Sequence, residues 1–137
     1  MDLSGLRVLV VDDYAQWRAV VAAQLIKGKA QLVGTAVDGH EAIQQARSVR
    51  PDVIVMDVSM PGLSGLAATR EICQLGTESK ILIVSNDTDP AIVSEAFAVG
   101  ARGYVLKSRV DAELLKAIAA IVRGELFVGG GLRPNGD

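Results

Sequence analysis

Short apolar runs rich in β-branched residues alternate with amphipathic stretches along most of this 137-residue chain. Periods of this kind predict strands and helices in regular succession. Strands that are each followed by a helix pair in parallel through right-handed crossovers, so the chain is predicted to form a parallel sheet covered on both faces. We expect its strands at Arg7–Val11, Gln31–Ala36, Val53–Met56, Lys80–Val84 and Gly103–Leu106.

Five helices are expected between and after these strands, and local signals mark several of their starts. Asp38 and Glu41 have the spacing of a capping box, and Asp89 precedes Pro90, whose fixed φ suits a first helical turn. Asp111 is predicted to cap the last helix. The helices are expected at Ala15–Ile26, from Gly39 to the residue before Pro51, at about Gly65–Leu75, from Pro90 onward, and after Asp111.

The number of strands limits the possible architectures. A barrel of eight strand–helix units needs far more residues than this chain has. An open, doubly wound α/β sheet remains, and five strands usually adopt the flavodoxin-like order 2-1-3-4-5. Residues 1–125 are expected to form this domain. Residues 126–137 contain a glycine run and Pro134, so we interpret them as a C-terminal linker or loose tail.

The composition argues against several classes of function. A net charge of −2 and a pI of about 5.4 lack the basic footprint of a nucleic-acid-binding domain. The single cysteine, Cys73, allows neither an intrachain disulfide nor a cysteine metal site, and we expect it to be a small buried residue. No run reaches membrane-spanning length and the first residues do not resemble a signal peptide, so we expect a cytoplasmic protein.

Polar side chains follow four of the predicted strands at the point where each strand ends. The first strand is followed by Asp12 and Asp13, the third by Asp57, the fourth by Ser85 and the fifth by Lys107. Functional crevices of open parallel sheets lie beyond the carboxyl ends of the strands. A single aspartate in such a position is often only a helix cap, but five polar residues at one edge favour a functional site.

The expected crevice holds three carboxylates, which repel one another. A pair of unit charges ~4 Å apart costs roughly 4 kcal/mol at an effective dielectric of about 20. Lys107 supplies one positive charge, and a divalent cation would balance the remainder. Carboxylate oxygens suit Mg²⁺, and a carboxylate can attack phosphorus to form an acyl phosphate. The sequence therefore predicts a magnesium-dependent phosphoryl site in which Ser85 and Lys107 bind phosphoryl oxygens.

Five motifs, in this order and spacing, carry a resemblance to a known family. They are VLVVDD at Val8–Asp13, DGHEAI at Asp38–Ile43, PDVIVMDVSMPGLSG at Pro51–Gly65, ILIVSND at Ile81–Asp87 and GARGYVLKS at Gly100–Ser108. From Leu6 to about Glu125, the chain resembles the receiver domains of the response regulators of bacterial two-component systems. The resemblance implies a signalling domain that accepts a phosphoryl group from a sensor histidine kinase, and not an enzyme.

The resemblance also implies which residues form the acceptor site. Asp57 corresponds to the phosphoacceptor. Asp12 and Asp13 correspond to the acidic pair that, with Asp57 and the backbone carbonyl of Ser59, holds Mg²⁺.

A switch pair follows from the same resemblance. Ser85 and Lys107 correspond to the phosphoryl-binding residues, and Ser85 and Tyr104 to the switch hydroxyl and switch aromatic. In such domains the face formed by the fourth helix, the fifth strand and the fifth helix changes with them and meets an effector domain or partner protein. From position alone, Tyr104 in a strand and Trp17 in a helix are interpreted as packing residues.

Three features depart from the usual receiver pattern. Asn86 stands where many receivers have a small residue, which predicts slower phosphoryl access or a restricted Ser85. Ser108 stands where many relatives have a proline preceded by a cis bond, and a cis bond without proline costs ~3 kcal/mol. Ser59 and Asp87, like Asn86, occupy positions that tune the lifetime of the acyl phosphate in the family.

GARGYVLKS, together with IVRGE at Ile121–Glu125, most resembles the subgroup whose receiver precedes a LuxR/NarL-type helix-turn-helix domain. The resemblance implies control of a DNA-binding transcription regulator domain that these residues do not contain. A stand-alone receiver acting through protein contacts is the alternative, and a homodimer on phosphorylation is possible with either. The sequence identifies neither the kinase nor the target genes.

Three other classes of protein share parts of this pattern. Phosphatases that form an aspartyl phosphate usually carry a second aspartate two residues after the nucleophile, where this chain has Ser59. A flavodoxin needs a phosphate-cradling loop after its first strand, where this chain has Asp12 and Asp13. A pseudo-receiver that takes up no phosphate is disfavoured by the complete acidic set, although Asn86 leaves it open.

Overall fold

The computed structural model describes residues 2–134 and contains, within them, six strands and five helices. The strands are β1 (Arg7–Val11), β2 (Gln31–Ala36), β3 (Val53–Met56), β4 (Lys80–Ser85), β5 (Gly103–Leu106) and β6 (Phe127–Val128). The helices are α1 (Ala15–Lys27), α2 (Gly39–Val49), α3 (Gly65–Gln74), α4 (Pro90–Ala98) and α5 (Val110–Val122). A short 3₁₀ turn at Lys107–Arg109 leads into α5.

The strands form one parallel sheet in the order β2-β1-β3-β4-β5-β6. The predicted order 2-1-3-4-5 is confirmed, but the predicted number of five strands was wrong because β6 pairs with β5 at the edge. The Phe127 N–H donates to the Arg102 carbonyl at 3.0 Å. This two-residue strand has no hydrophobic period of its own, so only the tertiary pairing reveals it.

Strand β6 lies within residues 126–137, for which the sequence predicts a linker or loose tail. In the described part of that segment, Leu132 is only 8% exposed and belongs to the buried apolar cluster that includes Tyr104 of β5. Residues 135–137 of the predicted tail lie outside the described residues.

Two apolar layers cover the sheet, one on each face. Successive side chains of a strand point to opposite faces. Leu9 and Ile54 therefore join the layer with residues of α2, α3 and α4, whereas Val10 and Val55 join the layer with residues of α1 and α5. Strands β1 and β3 are buried on both faces, which explains why their sequences are continuous apolar runs.

Two of the predicted helix starts are confirmed by their capping contacts. The Asp38 carboxylate accepts a hydrogen bond from the Glu41 N–H at 2.8 Å, and Glu41 Oε1 accepts from the N–H of Val37 at 3.2 Å. The return hydrogen bond of this capping box therefore comes from the N–H of Val37 and not from that of the cap residue Asp38. At α4, the Asp89 carboxylate accepts from the Ala91 N–H at 2.9 Å, with Pro90 in the first turn.

The start of α5 corrects the prediction that Asp111 caps this helix. The 3₁₀ turn brings the chain into helical geometry early, so α5 begins at Val110 and Asp111 lies inside its first turn. The Asp111 carboxylate instead accepts a hydrogen bond from the Gln24 side-chain amide of α1 at 3.0 Å. Asp111 thus joins two helices on the same face of the sheet.

Two expectations from composition can be compared with the structure. Cys73, expected to be buried, is exposed because it lies on the outer side of α3. Within residues 2–134, none of the helices combines the length and the apolar character needed to cross a membrane.

Candidate functional site

The acidic residues meet because β1 and β3 are neighbours in register. Val11 pairs with Met56, so Asp12 and Asp57 follow at the same edge of the sheet, and the Asp57 N–H donates to the Val11 carbonyl at 3.0 Å. One carboxylate oxygen from each of Asp12, Asp13 and Asp57 lies within 4.8 Å of the others. The predicted gathering of these three carboxylates is therefore observed.

The carboxylates of Asp12 and Asp13 differ in their hydrogen bonding. One Asp12 oxygen, Oδ1, accepts a hydrogen bond from the Tyr14 N–H at 2.9 Å, which fixes the carboxylate at the start of α1. Asp13 Oδ1 is buried and has no hydrogen-bond partner within residues 2–134. A buried carboxylate oxygen without a partner is costly unless a cation or ordered water satisfies it.

The ammonium group of Lys107 lies between two of the carboxylates. Its Nζ is 3.0 Å from Asp12 Oδ2 and 3.5 Å from Asp57 Oδ2. All three residues are buried. Burial weakens solvent screening, so each charge acts strongly on its neighbours.

The indole of Trp17 completes the surroundings of Lys107. The Lys107 ammonium is 5.0 Å from the centroid of the Trp17 ring, within range of a cation–π interaction. From its sequence position, Trp17 is expected only to pack within a helix. No local signal could have revealed the contact, since it joins the first turns of α1 to the segment after β5, far apart in the chain.

The ionisation of Asp57 is shifted by its surroundings. Burial, followed by repulsion from Asp12, raises the pKa of Asp57 from its ordinary value of 3.8 to about 6. Attraction to Lys107 and the hydrogen bond from the Val58 N–H oppose this shift. The carboxylate is still mostly ionised at neutral pH, and it carries a negative charge that lacks full compensation.

The cluster opens into a polar cleft of about 300 Å³. Asp57 and Lys107 lie at its base, Ser85 borders it, and Asn86 is exposed at its rim. Ser85 Oγ accepts a hydrogen bond from the Asp87 N–H at 3.0 Å. Further lining residues are Tyr14, Ser59 and Asp87.

Tyr104 lies behind this cleft and not in it. Its ring is fully buried, and its hydroxyl donates to the backbone carbonyl of Asp87 at 2.8 Å. Burial raises the pKa of the phenol, and a hydrogen bond with Ser85 opposes that shift. The Asp87 carboxylate accepts from the Asp89 N–H at 3.0 Å, so it is engaged with the start of α4.

The segment after Lys107 agrees with the sequence expectation. Residues 2–134 contain no cis peptide bond, so the bond between Lys107 and Ser108 is trans.

Gly65 holds the loop after β3 close to the acceptor strand. Its N–H donates to the Val58 carbonyl at 2.9 Å, and an added Cβ would lie 1.8 Å from the Asp57 carbonyl oxygen. Gly65 ends one of the motifs that carry the family resemblance, but no role is expected for it from the sequence. Its position just after the helix cap Ser64 is the only local hint that the backbone approaches closely there.

The donor set suits a small, hard divalent cation. Three carboxylates and one ammonium group leave a formal excess of two negative charges, which one divalent cation would neutralise. Carboxylate oxygens are the ligands that Mg²⁺ prefers, and the unpartnered Asp13 oxygen offers a ligand that is already desolvated. The residues present therefore fit Mg²⁺.

Comparisons with known proteins agree with this architecture. The family profile of the response regulator receiver domain matches residues 8–119. The oxygen regulatory protein NreC of Staphylococcus aureus is 38% identical over 125 residues, which cover 90% of this chain and 58% of NreC. The chain thus spans less than two thirds of the length of that relative.

Solved structures give the same result. A two-component response regulator of the LuxR family from Aurantimonas sp. SI85-9A1 is 38% identical, with a TM-score of 0.83 over 90% of this chain and 89% of that chain. The signal receiver domain of the putative response regulator NarL from Mycobacterium tuberculosis is 32% identical, with a TM-score of 0.84 over 89% and 99%. Sheet order, acidic cluster and sequence similarity lead to one assignment: this chain belongs to the response regulator receiver domain family and is similar to its LuxR/NarL-type members.

Proposed function

We propose that this receiver domain takes up a phosphoryl group on Asp57 with the help of Mg²⁺. The observation that carries the proposal is the buried cluster of three carboxylates around one ammonium group, which has an excess of negative charge beside an open polar cleft. Asp12, Asp13, Asp57 and the Ser59 carbonyl would hold the ion. When bound, Mg²⁺ would offset the charge that develops on the phosphoryl oxygens.

The chain's own residues then have distinct tasks in the transfer. An Asp57 carboxylate oxygen forms a bond to phosphorus while the bond from phosphorus to the donor's imidazole nitrogen breaks, and the imidazole leaves with that electron pair. Lys107, now 3.5 Å from Asp57, binds one phosphoryl oxygen, and the Ser85 hydroxyl donates to another. Both interactions gain strength because the group that they contact gains charge.

The switch follows from the contacts behind the cleft. Ser85 and Tyr104 both bind the backbone of Asp87, so a phosphoryl group that draws in Ser85 also affects the support of the Tyr104 ring. The ring already points inward, and phosphorylation is expected to stabilise this arrangement. The face formed by α4, β5 and α5 would respond and contact an effector.

Partners and setting follow by analogy with the relatives. A sensor histidine kinase in the cytoplasm would donate the phosphoryl group, and the output would be a DNA-binding domain that these residues do not contain. One similar solved structure is a DNA-binding response regulator of the LuxR family from Staphylococcus aureus, 27% identical. Phosphorylation would control that domain directly or through a homodimer, as part of transcription regulation.

The lifetime of the acyl phosphate would depend on the rim of the cleft. Ser59 and Asn86 are exposed there, where a hydrolytic water must approach, and Asp87 is held by Asp89 and Ser85. Replacing Asn86 with alanine would widen the approach and shorten the lifetime. Decay of the phosphorylated protein, followed by phosphate release, measures this effect.

Uptake of the phosphoryl group can be tested with acetyl phosphate and Mg²⁺. Intact-mass spectrometry is expected to show one added phosphoryl group on the wild type and none on an Asp57→Asn variant. Asp52→Asn is the matched control, because Asp52 is an exposed aspartate that precedes the same strand. Equal uptake by the wild type and Asp57→Asn, or uptake without Mg²⁺ in the presence of a chelator, would contradict the proposal.

A further inference from the structure

The segment after α5 is fastened along the outer edge of the sheet. We call residues 126–133 the C-terminal strap. It includes β6, whose Phe127 N–H donates to Arg102, and the Gly129 N–H donates to the Tyr104 carbonyl at 2.9 Å. The Gly130 N–H donates to the Glu113 carboxylate of α5, with distances of 3.2 and 3.0 Å to its two oxygens.

The strap fits closely where it crosses β5. A Cβ added at Gly129 would lie 2.8 Å from the Tyr104 carbonyl oxygen, and one at Gly130 would lie 3.0 Å from Glu113 Oε2. At Gly129 the obstacle is backbone, so only glycine allows this approach without movement of the backbone. At Gly130 the nearest atoms belong instead to the side chains of Arg109 and Glu113. The close fit therefore depends on Tyr104 and its strand keeping their present positions.

Beyond the glycines, the strap returns to the interior. Leu132 is 8% exposed and lies in the same apolar cluster as Tyr104, Val93 and Ala96. The strap also borders a surface cleft shared with Thr88 and Pro90, at the start of α4. Leu132 therefore belongs to the apolar layer that also holds the buried Tyr104 ring of β5 and the inner side of α4.

A continuous series of hydrogen bonds links the strap to the cleft. The Gly129 N–H binds the Tyr104 carbonyl, the Tyr104 hydroxyl binds the Asp87 carbonyl, and the Asp87 N–H binds Ser85 Oγ. Ser85 borders the cleft above Asp57. Tyr104 and Asp87 each take part in two of these three hydrogen bonds, so displacement of either residue disturbs both of its neighbours.

We propose that docking of the C-terminal strap on β5 and α4 is coupled to phosphoryl uptake at Asp57, through the inward position of Tyr104. This inference rests on the proposed function and adds an output that this function does not include. A phosphoryl group fixes Ser85, which steadies Asp87 and the Tyr104 hydroxyl. The inward ring leaves the site beneath Leu132 intact, so the phosphorylated domain holds the strap more tightly.

Amide hydrogen exchange measures this coupling directly in the wild-type chain. Beryllofluoride with Mg²⁺ serves as the phosphoryl mimic. We expect the Gly129 and Gly130 amides to exchange about fivefold more slowly with the mimic, near the lower end of coupling between two linked sites. The Asp57→Asn variant should show no change.

Two leucines of the strap provide matched variants for the reverse effect. Leu132 is 8% exposed and Leu126 is 63% exposed, so the same change to alanine removes buried contacts at one position and exposed surface at the other. Because coupling between two sites is reciprocal, Leu132→Ala should weaken beryllofluoride binding about fivefold. Leu126→Ala should bind as the wild type does.

The outcomes separate this inference from the proposed function. If the mimic protects the Val58 and Asp87 amides at the cleft but leaves Gly129 and Gly130 unchanged, the coupling is refuted and the acceptor site stands. If the mimic changes neither set, the acceptor site fails and the coupling fails with it. Equal affinities of the Leu132→Ala and Leu126→Ala variants would also overturn the coupling.

Discussion

The Lys107 ammonium lies 5.0 Å from the centre of the Trp17 ring while it also contacts the carboxylates of Asp12 and Asp57. The indole thus lies against the ammonium group, beside its contacts with the two carboxylates. The first turn of α1 is fixed in turn, because the Arg18 guanidinium donates to the Asp12 carbonyl at 2.7 Å. An aromatic ring therefore belongs to the charged site, although it carries no charge itself.

This relationship makes the fluorescence of Trp17 a reporter of the site. Trp17 is the single tryptophan of the chain, so its emission has one source. Mg²⁺ is expected to draw the carboxylates toward itself and to shift Lys107 relative to the ring, which changes the emission. Titration with Mg²⁺ should give a saturable change. An Asp13→Asn variant, which loses the unpartnered carboxylate, should require much more Mg²⁺, and an unaltered titration would contradict the assigned metal site.

Substitution of Trp17 tests whether the ring positions Lys107. Trp17→Leu should slow phosphorylation by acetyl phosphate several-fold, because a cation–π contact contributes about 1 kcal/mol at a partly buried site. Trp17→Phe keeps an aromatic face and should recover part of the rate. If the leucine and phenylalanine variants react equally slowly, lost packing and not the cation–π contact explains the effect.

The unfolding free energy of the metal-free protein should depend on pH through Asp57. The pKa of Asp57 is about 6 in the folded protein, whereas an unperturbed aspartate, as in the unfolded chain, has a pKa of 3.8. The folded protein therefore binds the proton more tightly. The contribution of Asp57 to the unfolding free energy is therefore fully present below about pH 4. This contribution is lost as the pH rises to about 6, and the loss is at most about 3 kcal/mol.

Urea unfolding in chelator, at several pH values, measures this dependence. Asp57→Asn removes the titrating group, so the variant should lack this loss and exceed the wild type in stability at pH 7. Mg²⁺ should restore stability to the wild type and much less to the variant. Parallel pH profiles for the two proteins would refute the raised pKa.

Gly65→Ala should destabilise the domain although alanine is the better helix former. The added Cβ would lie 1.8 Å from the Asp57 carbonyl oxygen, so the backbone of the acceptor loop must move. We expect a cost of about 3 kcal/mol or more, at the upper end of overpacking.

Gly76→Ala is the control for this change. Gly76 has a φ of +72° and open space around it, so the substitution should cost only about 1 kcal/mol of left-handed strain. Thermal unfolding of both variants compares the two costs. Equal losses of stability would show that the close approach at Gly65 has no special importance.

The predictable part of the fold has a physical basis in its buried strands. Val53–Met56 is apolar on both faces and is bounded by Pro51 before it and a glycine- and proline-containing loop after it, so its limits could be read directly. Asp12 and Asp57 could be placed together because parallel neighbouring strands end at the same edge. Their meeting required only the predicted strand order.

Other features depend on contacts that no local pattern records. Strand β6 forms because the edge of β5 offers unpaired backbone groups to a glycine-rich segment. The contact of Trp17 with Lys107 arises only when α1 and the end of β5 come together. The start of α5 at Val110 depends on the preceding 3₁₀ turn, and Asp111 was thereby freed to bind Gln24.

The central claim is that Asp57 itself becomes the acyl phosphate. The most direct measurement is borohydride reduction after treatment with acetyl phosphate and Mg²⁺, because hydride reduces an aspartyl phosphate to homoserine. Peptide mass spectrometry is expected to find homoserine at position 57 and unmodified aspartate at positions 12 and 13. Homoserine at either of those positions, or at none of the three despite phosphoryl uptake by the intact protein, would contradict the account.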